Sequence, residues 1–395
     1  MYKDTLRFKI SLLSVSLLTL MAGAAVAPGL SEINRVFAGY SPTVVKLVIS
    51  LPPLLIIPFS LLSGLLSSVI SKKNLLIAGL LIYLVGGAGA AFVDSMLPLL
   101  LFRAVLGMGT GIILPLSTGL IADFYDGDQR SKMLGFSSAS NCLGTILANL
   151  AAGILVAINW HYIFYVYFLA IPVLLMVIPF IEGQAPPSKV AGGKVSDIPK
   201  ELILWALAAF LVMLAFFGVV TNLALLIDNR NLGGSQVAGI VFALNSLCML
   251  LSGAFFLNVQ KKLQMFYSSF MLFLMAAGYA GLMLAGSLPL LIVSVILSGL
   301  GTGLAFPFIM NQASRYARED NSIVIMGIVS SSAFLGQFFS PLILDNVPNI
   351  TGSPLSNIFL ALAFGTGIIC IINLARSISR GKHELKGSSQ ENWAE

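Results

Sequence analysis

The chain has 395 residues, 57% of them hydrophobic and only 10% charged, with a formal net charge of +6. A soluble domain carries about 25% charged residues, so this composition cannot clothe a water-soluble surface and most of it must face lipid. The basic residues sit in short clusters between apolar runs rather than in a stripe with interleaved aromatics, which excludes a nucleic-acid binder.

The N-terminus begins like a secretion signal, with Lys3, Arg7 and Lys9, an apolar run, and then Ala25-Val26-Ala27. Pro28 follows the would-be cleavage point, and the run from Ile10 to Leu30 has the ~20 residues that span a bilayer. It is read as a retained first helix. Apolar runs bounded by charge or turn residues give twelve spans in all. The first six fall at roughly 10–30, 43–67, 74–93, 97–122, 133–157 and 161–181. The second six fall at roughly 202–226, 236–257, 263–285, 289–311, 323–344 and 355–375. Helices are the expected form, because an open sheet cannot satisfy its backbone in lipid.

Between the sixth and seventh spans, Glu182 to Lys200 holds Pro186-Pro187, Gly192-Gly193 and three lysines, and reads as a linker. The expected organisation is a six-helix bundle at 1–182, a cytoplasmic linker at 183–200, a second six-helix bundle at 201–376 and a cytoplasmic tail at 377–395. The tail is polar and is expected to be disordered.

The two bundles repeat each other. Gly107-Met108-Gly109-Thr110-Gly111 with Pro115 recurs as Gly299-Leu300-Gly301-Thr302-Gly303 with Pro307, 192 residues on. Gly135 and Gly144 recur as Gly327 and Gly336 at the same offset, and Leu97-Pro98-Leu99-Leu100 recurs at Leu288 with a one-residue slip. Two like halves in an apolar chain are the mark of a secondary transporter with its site between them. The expected packing residues are Gly107, Gly111, Gly144, Gly153, Gly299, Gly303, Gly336 and Pro341.

Of the 22 basic residues, Arg35, Lys46 and Arg230 fall on one side of the spans, Arg103 falls within the fourth, and the other 18 fall on the N-terminal side. This asymmetry places both termini in the cytoplasm. A charge at membrane depth marks function by default, so Arg103 is expected on the substrate or proton pathway. All 16 acidic residues fall at span ends, in loops or in tails. The polar residues within spans are amides and hydroxyls, among them Thr19, Asn141, Asn149, Asn222, Asn245, Asn311 and Gln337. An unpaired amide in lipid is costly, and several in six different spans point to a shared polar cavity. The cysteines Cys142, Cys248 and Cys370 lie in apolar runs without metal-like spacing. His161, beside Trp160 and Tyr162, reads as a headgroup-level anchor.

At these residues the chain resembles the major facilitator superfamily, in particular its twelve-helix drug:proton antiporters. Arg103 followed by Gly107, Gly109 and Gly111 is similar to the family's fourth-helix pattern. Lys72-Lys73 after Gly64 is similar to its loop between helices two and three, with Ser68 and Val69 in place of the usual Asp and Arg. Gly144, Ala148, Ala152 and Gly153 keep the small-residue spacing of the antiporter pattern, with Asn149 where a Pro is usual and Pro341 at the repeat position.

The resemblance implies an all-α membrane protein of twelve transmembrane helices in two six-helix bundles around a central cavity, one half rocking against the other. It also implies a cytoplasmic latch, for which Asp123, Arg130, Lys72, Lys73, Arg315 and Arg318 are the candidates. The expected function is proton-coupled export of small amphipathic compounds from the cell membrane. The alternative is a metabolite, sugar or amino-acid carrier of the same fold. One Arg and many amides suit a neutral, zwitterionic or anionic solute better than a cation. No cofactor is expected beyond the proton gradient; the partners are the small-molecule substrate and the bilayer, with no nucleic acid, and the chain is expected to be a monomer. No nucleophile–histidine arrangement or acid–base dyad points to an enzyme, and GMGTG lies within a span rather than in a phosphate-binding loop.

Overall fold

The structure, a computed structural model, describes residues 6–181, 199–316, 322–348, 350 and 352–391, without the side chains of 322, 323 and 380–391. Twelve of its helices are long and apolar enough to cross a membrane. Spans 1 to 6 are Leu6–Val36, Pro42–Leu66, Lys72–Phe92, Met96–Phe124, Gly127–Ile158 and Trp160–Phe180. Spans 7 to 12 are Lys200–Asn229, Ser235–Ala254, Phe256–Leu284, Leu288–Ser314, Val324–Leu344 and Pro354–Ser379. Contacts within the first unit define a near end, where Lys72 meets Asp123, and a far end, where Lys46 meets Asp345. The linker residues 182–198 and Arg318 lie outside the described residues.

Local sequence explains where the spans depart from plain α-helix. Span 1 is helical over Leu6–Ala24, breaks into a 3-10 turn at Ala27–Gly29 and resumes over Leu30–Val36. Pro28 sits at the break, where its missing N–H cannot continue the ladder. Span 6 starts as a ten-residue 3-10 helix, Trp160–Leu169. In that geometry side chains three apart eclipse, and Tyr162 stacks on Tyr165 at 5.1 Å while Tyr165 meets Phe168 at 5.7 Å. Span 9 opens with a short helix, Phe256–Leu263, and bends where Gln264 takes φ +46°. The tail departs from expectation: the last helix runs Pro354–Glu391, so its backbone stays helical well past the span. Extending an established helix adds one hydrogen bond per residue without a new nucleation cost.

The helices cluster into two compact units. One comprises Met1–Ser246 with Gln312–Asn346, and the other Leu247–Asn311 with Val347–Glu395. In the first, span 4 packs on spans 2 and 3, span 1 on span 5, span 7 on span 11, and span 2 on span 11. In the second, span 9 packs on span 12.

The duplication is visible as repeated close approach. A Cβ on Gly86 would lie 2.2 Å from Leu106 N, and one on Gly278 would lie 2.5 Å from Ser298 N. Gly109 meets Tyr83 N at 2.4 Å and Gly301 meets Met275 N at 2.8 Å. Both pairs keep the 192-residue offset on both partners. Gly111 meets Ile56 O at 2.8 Å and Gly303 meets Met249 O at 2.4 Å, while Gly144 and Gly336 each meet a carbonyl, of Leu17 and Phe210, at 2.2 Å. In these pairs the carbonyl partners are 193 apart. Spans 1 and 2 therefore align with 7 and 8 at an offset of 193, and spans 3 to 5 with 9 to 11 at 192. Only glycine tolerates such approach between helices. Gly135 and Gly327 keep the repeat but have nothing within 4 Å, so their recurrence carries no packing role.

Candidate functional site

Arg103 is fully buried, and the structure shows what holds it. Its Nε donates to Val48 O at 2.6 Å, Nη1 to the Tyr167 hydroxyl at 2.7 Å and Nη2 to Ala22 O at 2.8 Å. Tyr167 donates its own hydroxyl to Ala22 O at 2.9 Å, and the guanidinium carbon lies 5.5 Å from its ring centre. These acceptors exist for local reasons. The residue four beyond Val48 is Pro52, which has no N–H to give that carbonyl. Ala22 lies in the last turn before the break in span 1, where helix carbonyls lose their partners. Arg103 thus joins span 4 to spans 1, 2 and 6. Its hydrogen bonds all go to protein acceptors on neighbouring helices, in the span where its depth placed it on the substrate or proton pathway. The nearby Tyr83, in edge contact with Tyr167, donates to Leu18 O at 3.1 Å in the same layer. Tyr167→Phe removes one donor and one acceptor from this cluster; a loss of about 1–3 kcal/mol is expected in a thermal-unfolding comparison.

The amide and hydroxyl residues are only partly brought together. Thr19 donates to Asn141 Oδ1 at 2.6 Å, and one turn nearer the N-terminus Ser16 and Ser137 share a buried bond at 2.7 Å. This polar row runs along the seam of spans 1 and 5, which the Gly144–Leu17 approach closes above it. At the near end of the same seam lies an open, largely apolar pocket, lined by Leu6, Ile10, Leu13, Met133 and Phe136 together with Lys9 and Lys132. Asn149 donates to Ser246 Oγ at 3.4 Å, linking span 5 to span 8, beside buried Asn245. Gln337 on span 11 donates to Met213 Sδ on span 7 at 3.7 Å. Asn222 is fully buried and spends its amide on Gly218 O and Thr221 Oγ1, within its own helix. The side-chain oxygens of Asn149 and Asn222 accept no hydrogen bond from the chain. Asn311 lies in the other unit, on span 10, half-buried.

At the far end, a set of contacts joins the first-half spans to spans 7, 8 and 11 within the first unit. Arg35, bonded to Glu32 at 3.0 Å, pairs with Asp228 at the end of span 7. Lys46 on span 2 pairs with Asp345 just past span 11, and Thr43 donates to the same carboxylate at 2.8 Å. Lys46 was counted in the sequence as a loop charge setting orientation, yet it is 3% exposed, and Asp345 only 11%. Helix packing at a tertiary seam buries them. Elsewhere in the first unit, Gly153 on span 5 and Gly239 on span 8 meet backbone to backbone, a Cβ on either lying 3.0 Å from the other's Cα. Ser235 Oγ donates to Gly153 O at 3.3 Å.

At the near end, Lys72 pairs with Asp123, Nζ lying 2.6 and 2.8 Å from its two oxygens. Arg130 and Arg315 are exposed and Lys73 is half-exposed. Among the described residues of the expected latch, the structure joins Lys72 and Asp123, and both belong to the first half. His161 bridges Asp94 and Asn159 at 2.9 Å each and stacks on Trp160 at 3.8 Å, fixing the start of span 6 to the turn after span 3. Among the described residues no group of three metal-ligating side chains occurs.

Residues 12–341 match the family model described as Major Facilitator Superfamily. A probable nitrate transporter, NarT of Staphylococcus carnosus, is 27% identical over 381 residues, covering 92% of this chain and 94% of that protein. Multidrug resistance protein 3 of Bacillus subtilis is 34% identical over 104 residues, 26% of this chain, and the match spans only 20% of that relative's length. Among solved structures, the nucleoside transporter NupG superposes with a TM-score of 0.77 at 12% identity, covering 93% of this chain and 99% of that one. The human organic anion transporter MFSD10 gives 0.69 at 18% identity, with 93% and 99% covered. Likeness at these identities bears on fold alone.

Proposed function

The chain belongs to the major facilitator superfamily, and we propose that within it the protein exports small amphipathic solutes, uncharged or anionic, against a proton gradient by alternating access. The observation that carries this reading is the charge inventory of the interior. Among the described residues, the buried charged side chains are Lys46 and Arg103, both cationic, and the most enclosed carboxylate, Asp345, is already held by Lys46. An exporter of lipophilic cations needs an intramembrane carboxylate to meet its cargo, and this interior offers buried amides and hydroxyls instead. The far-end contacts support a carrier at rest with that end closed. The distribution of 18 basic residues against 3 supports cytoplasmic termini with the far end on the opposite side of the membrane.

A second reading, a carrier of small inorganic anions, draws on the near-full-length likeness to a probable nitrate transporter. The commitment of Arg103 to three protein acceptors argues against it.

A ligand panel in a thermal-shift assay separates these readings. A solute at about 100 times its dissociation constant stabilises by about 2.7 kcal/mol. Stabilisation by uncharged or organic-anionic amphiphiles is expected. Stabilisation by lipophilic cations alone would overturn the reading, and stabilisation by nitrate alone would favour the second.

A further inference from the structure

We propose that the pocket between the near ends of spans 1 and 5 seats an anionic phospholipid of the near-side leaflet. Its headgroup is held by Lys9 and Lys132, and one acyl chain lies among Ile10, Leu13, Met133 and Phe136. Both spans enter at this end: Phe8 meets Phe124 at 4.8 Å, beside Asp123, and span 5 begins at Gly127. Lys9 and Leu13 are one turn apart on span 1, and Lys132 and Phe136 are one turn apart on span 5. Each helix therefore sets an ammonium about 6 Å nearer the membrane surface than an apolar side chain of the same pocket. A lipid with its headgroup at the surface carries charge and hydrocarbon in that same order.

The pocket opens toward lipid rather than toward a neighbouring helix. On span 5, Phe136, Leu143, Leu147 and Ile154 recur at helical spacing, and all are more than half exposed. One other face of the helix meets span 1 through Ser137 and Asn141, and another meets span 8 through Asn149 and Gly153. Both lie about 100° or more from the exposed stripe. The cavity volume of about 430 Å³ falls within the ~300–1,000 Å³ of small-molecule sites. None of the nine described residues that line it is acidic. Deeper in, the Ser16–Ser137 bond and the approach of Gly144 to Leu17 shut the seam. A chain entering the pocket is thus turned out along the exposed stripe. A basic pocket between helices attracts anionic headgroups, whereas a zwitterionic lipid brings no net charge to the two lysines.

The test places an indole in the pocket by Phe136→Trp and reads its quenching by brominated phospholipids in phosphatidylcholine proteoliposomes. The parent protein supplies the background from Trp160, Trp205 and Trp393. Brominated phosphatidylglycerol should associate about thirtyfold more strongly than brominated phosphatidylcholine, which is about fivefold for each lysine. Lys132→Ala should reduce the preference to about fivefold, and Lys9→Ala/Lys132→Ala should abolish it. Lys132 is exposed, so its single variant decides the matter should the double variant not insert. Equal quenching by the two lipids, or a thirtyfold preference that survives Lys132→Ala, would overturn the site. Quenching by neither lipid would mean that a second copy or another protein covers the pocket, and would overturn it as well. The assay uses no transported solute, so failure of the ligand panel leaves its outcome unaffected.

Discussion

Arg103→Met should lower the stability of the protein by about 2–6 kcal/mol, and Arg103→Lys should not restore it. Three hydrogen bonds to a charged donor contribute roughly 1.5–3 kcal/mol each. Relief of burying a guanidinium at membrane depth returns about 3 kcal/mol. The difference is a net loss, because Val48 O is left without its side-chain donor and Ala22 O keeps only the Tyr167 hydroxyl, in a fully buried layer. Lysine presents a single ammonium, without the planar fork that reaches three acceptors on different helices. The measurement is thermal unfolding of the purified variant without ligand. A variant as stable as the parent that has lost only transport would return Arg103 to the substrate pathway.

Gly144→Ala and Gly336→Ala should be nearly equal in effect, each costing about 3 kcal/mol or more. In both, the new methyl would lie 2.2 Å from a backbone carbonyl, Leu17 O or Phe210 O. Overpacking a core typically costs 1–3 kcal/mol when side chains can yield; here a helix axis must move instead. Gly135→Ala and Gly327→Ala are the controls, since nothing lies within 4 Å of either. They should be neutral or slightly stabilising, as alanine favours the helix over glycine by up to about 1 kcal/mol. Losses confined to Gly144 and Gly336 would show that the two halves share their packing, not merely their spelling. Equal losses at all four positions would contradict that.

The twelve spans were legible in the sequence because the bilayer imposes a length and a composition that few other environments demand. The duplicated glycines were legible for a related reason: close approach leaves no alternative residue, so the spelling recurs. What the sequence could not convey was which partner each polar residue meets. Arg103 reads as a free charge because its acceptors are main-chain carbonyls of residues 22 and 48, and carbonyls have no letter of their own. The available hint was Pro52, whose missing N–H frees Val48 O four residues earlier. Lys46 reads as an orientation charge and Asp345 as an acid outside the membrane interior because each lies at the edge of an apolar run, and only the meeting of spans 2 and 11 encloses them. Pairing across about 300 residues is a tertiary fact. Of the latch candidates named with Asp123, it is Lys72, on the adjacent span of its own half, that holds it.

Transport itself gives the most direct test. The purified protein is reconstituted into liposomes, a pH gradient is imposed, and uptake is followed for three probes of similar size: an uncharged amphiphile, an organic anion and a lipophilic cation. Gradient-dependent accumulation of the uncharged or anionic probe, with none of the cation, is the predicted result. Accumulation of the cation alone would contradict it, because no carboxylate buried among the described residues is free to accompany that cargo.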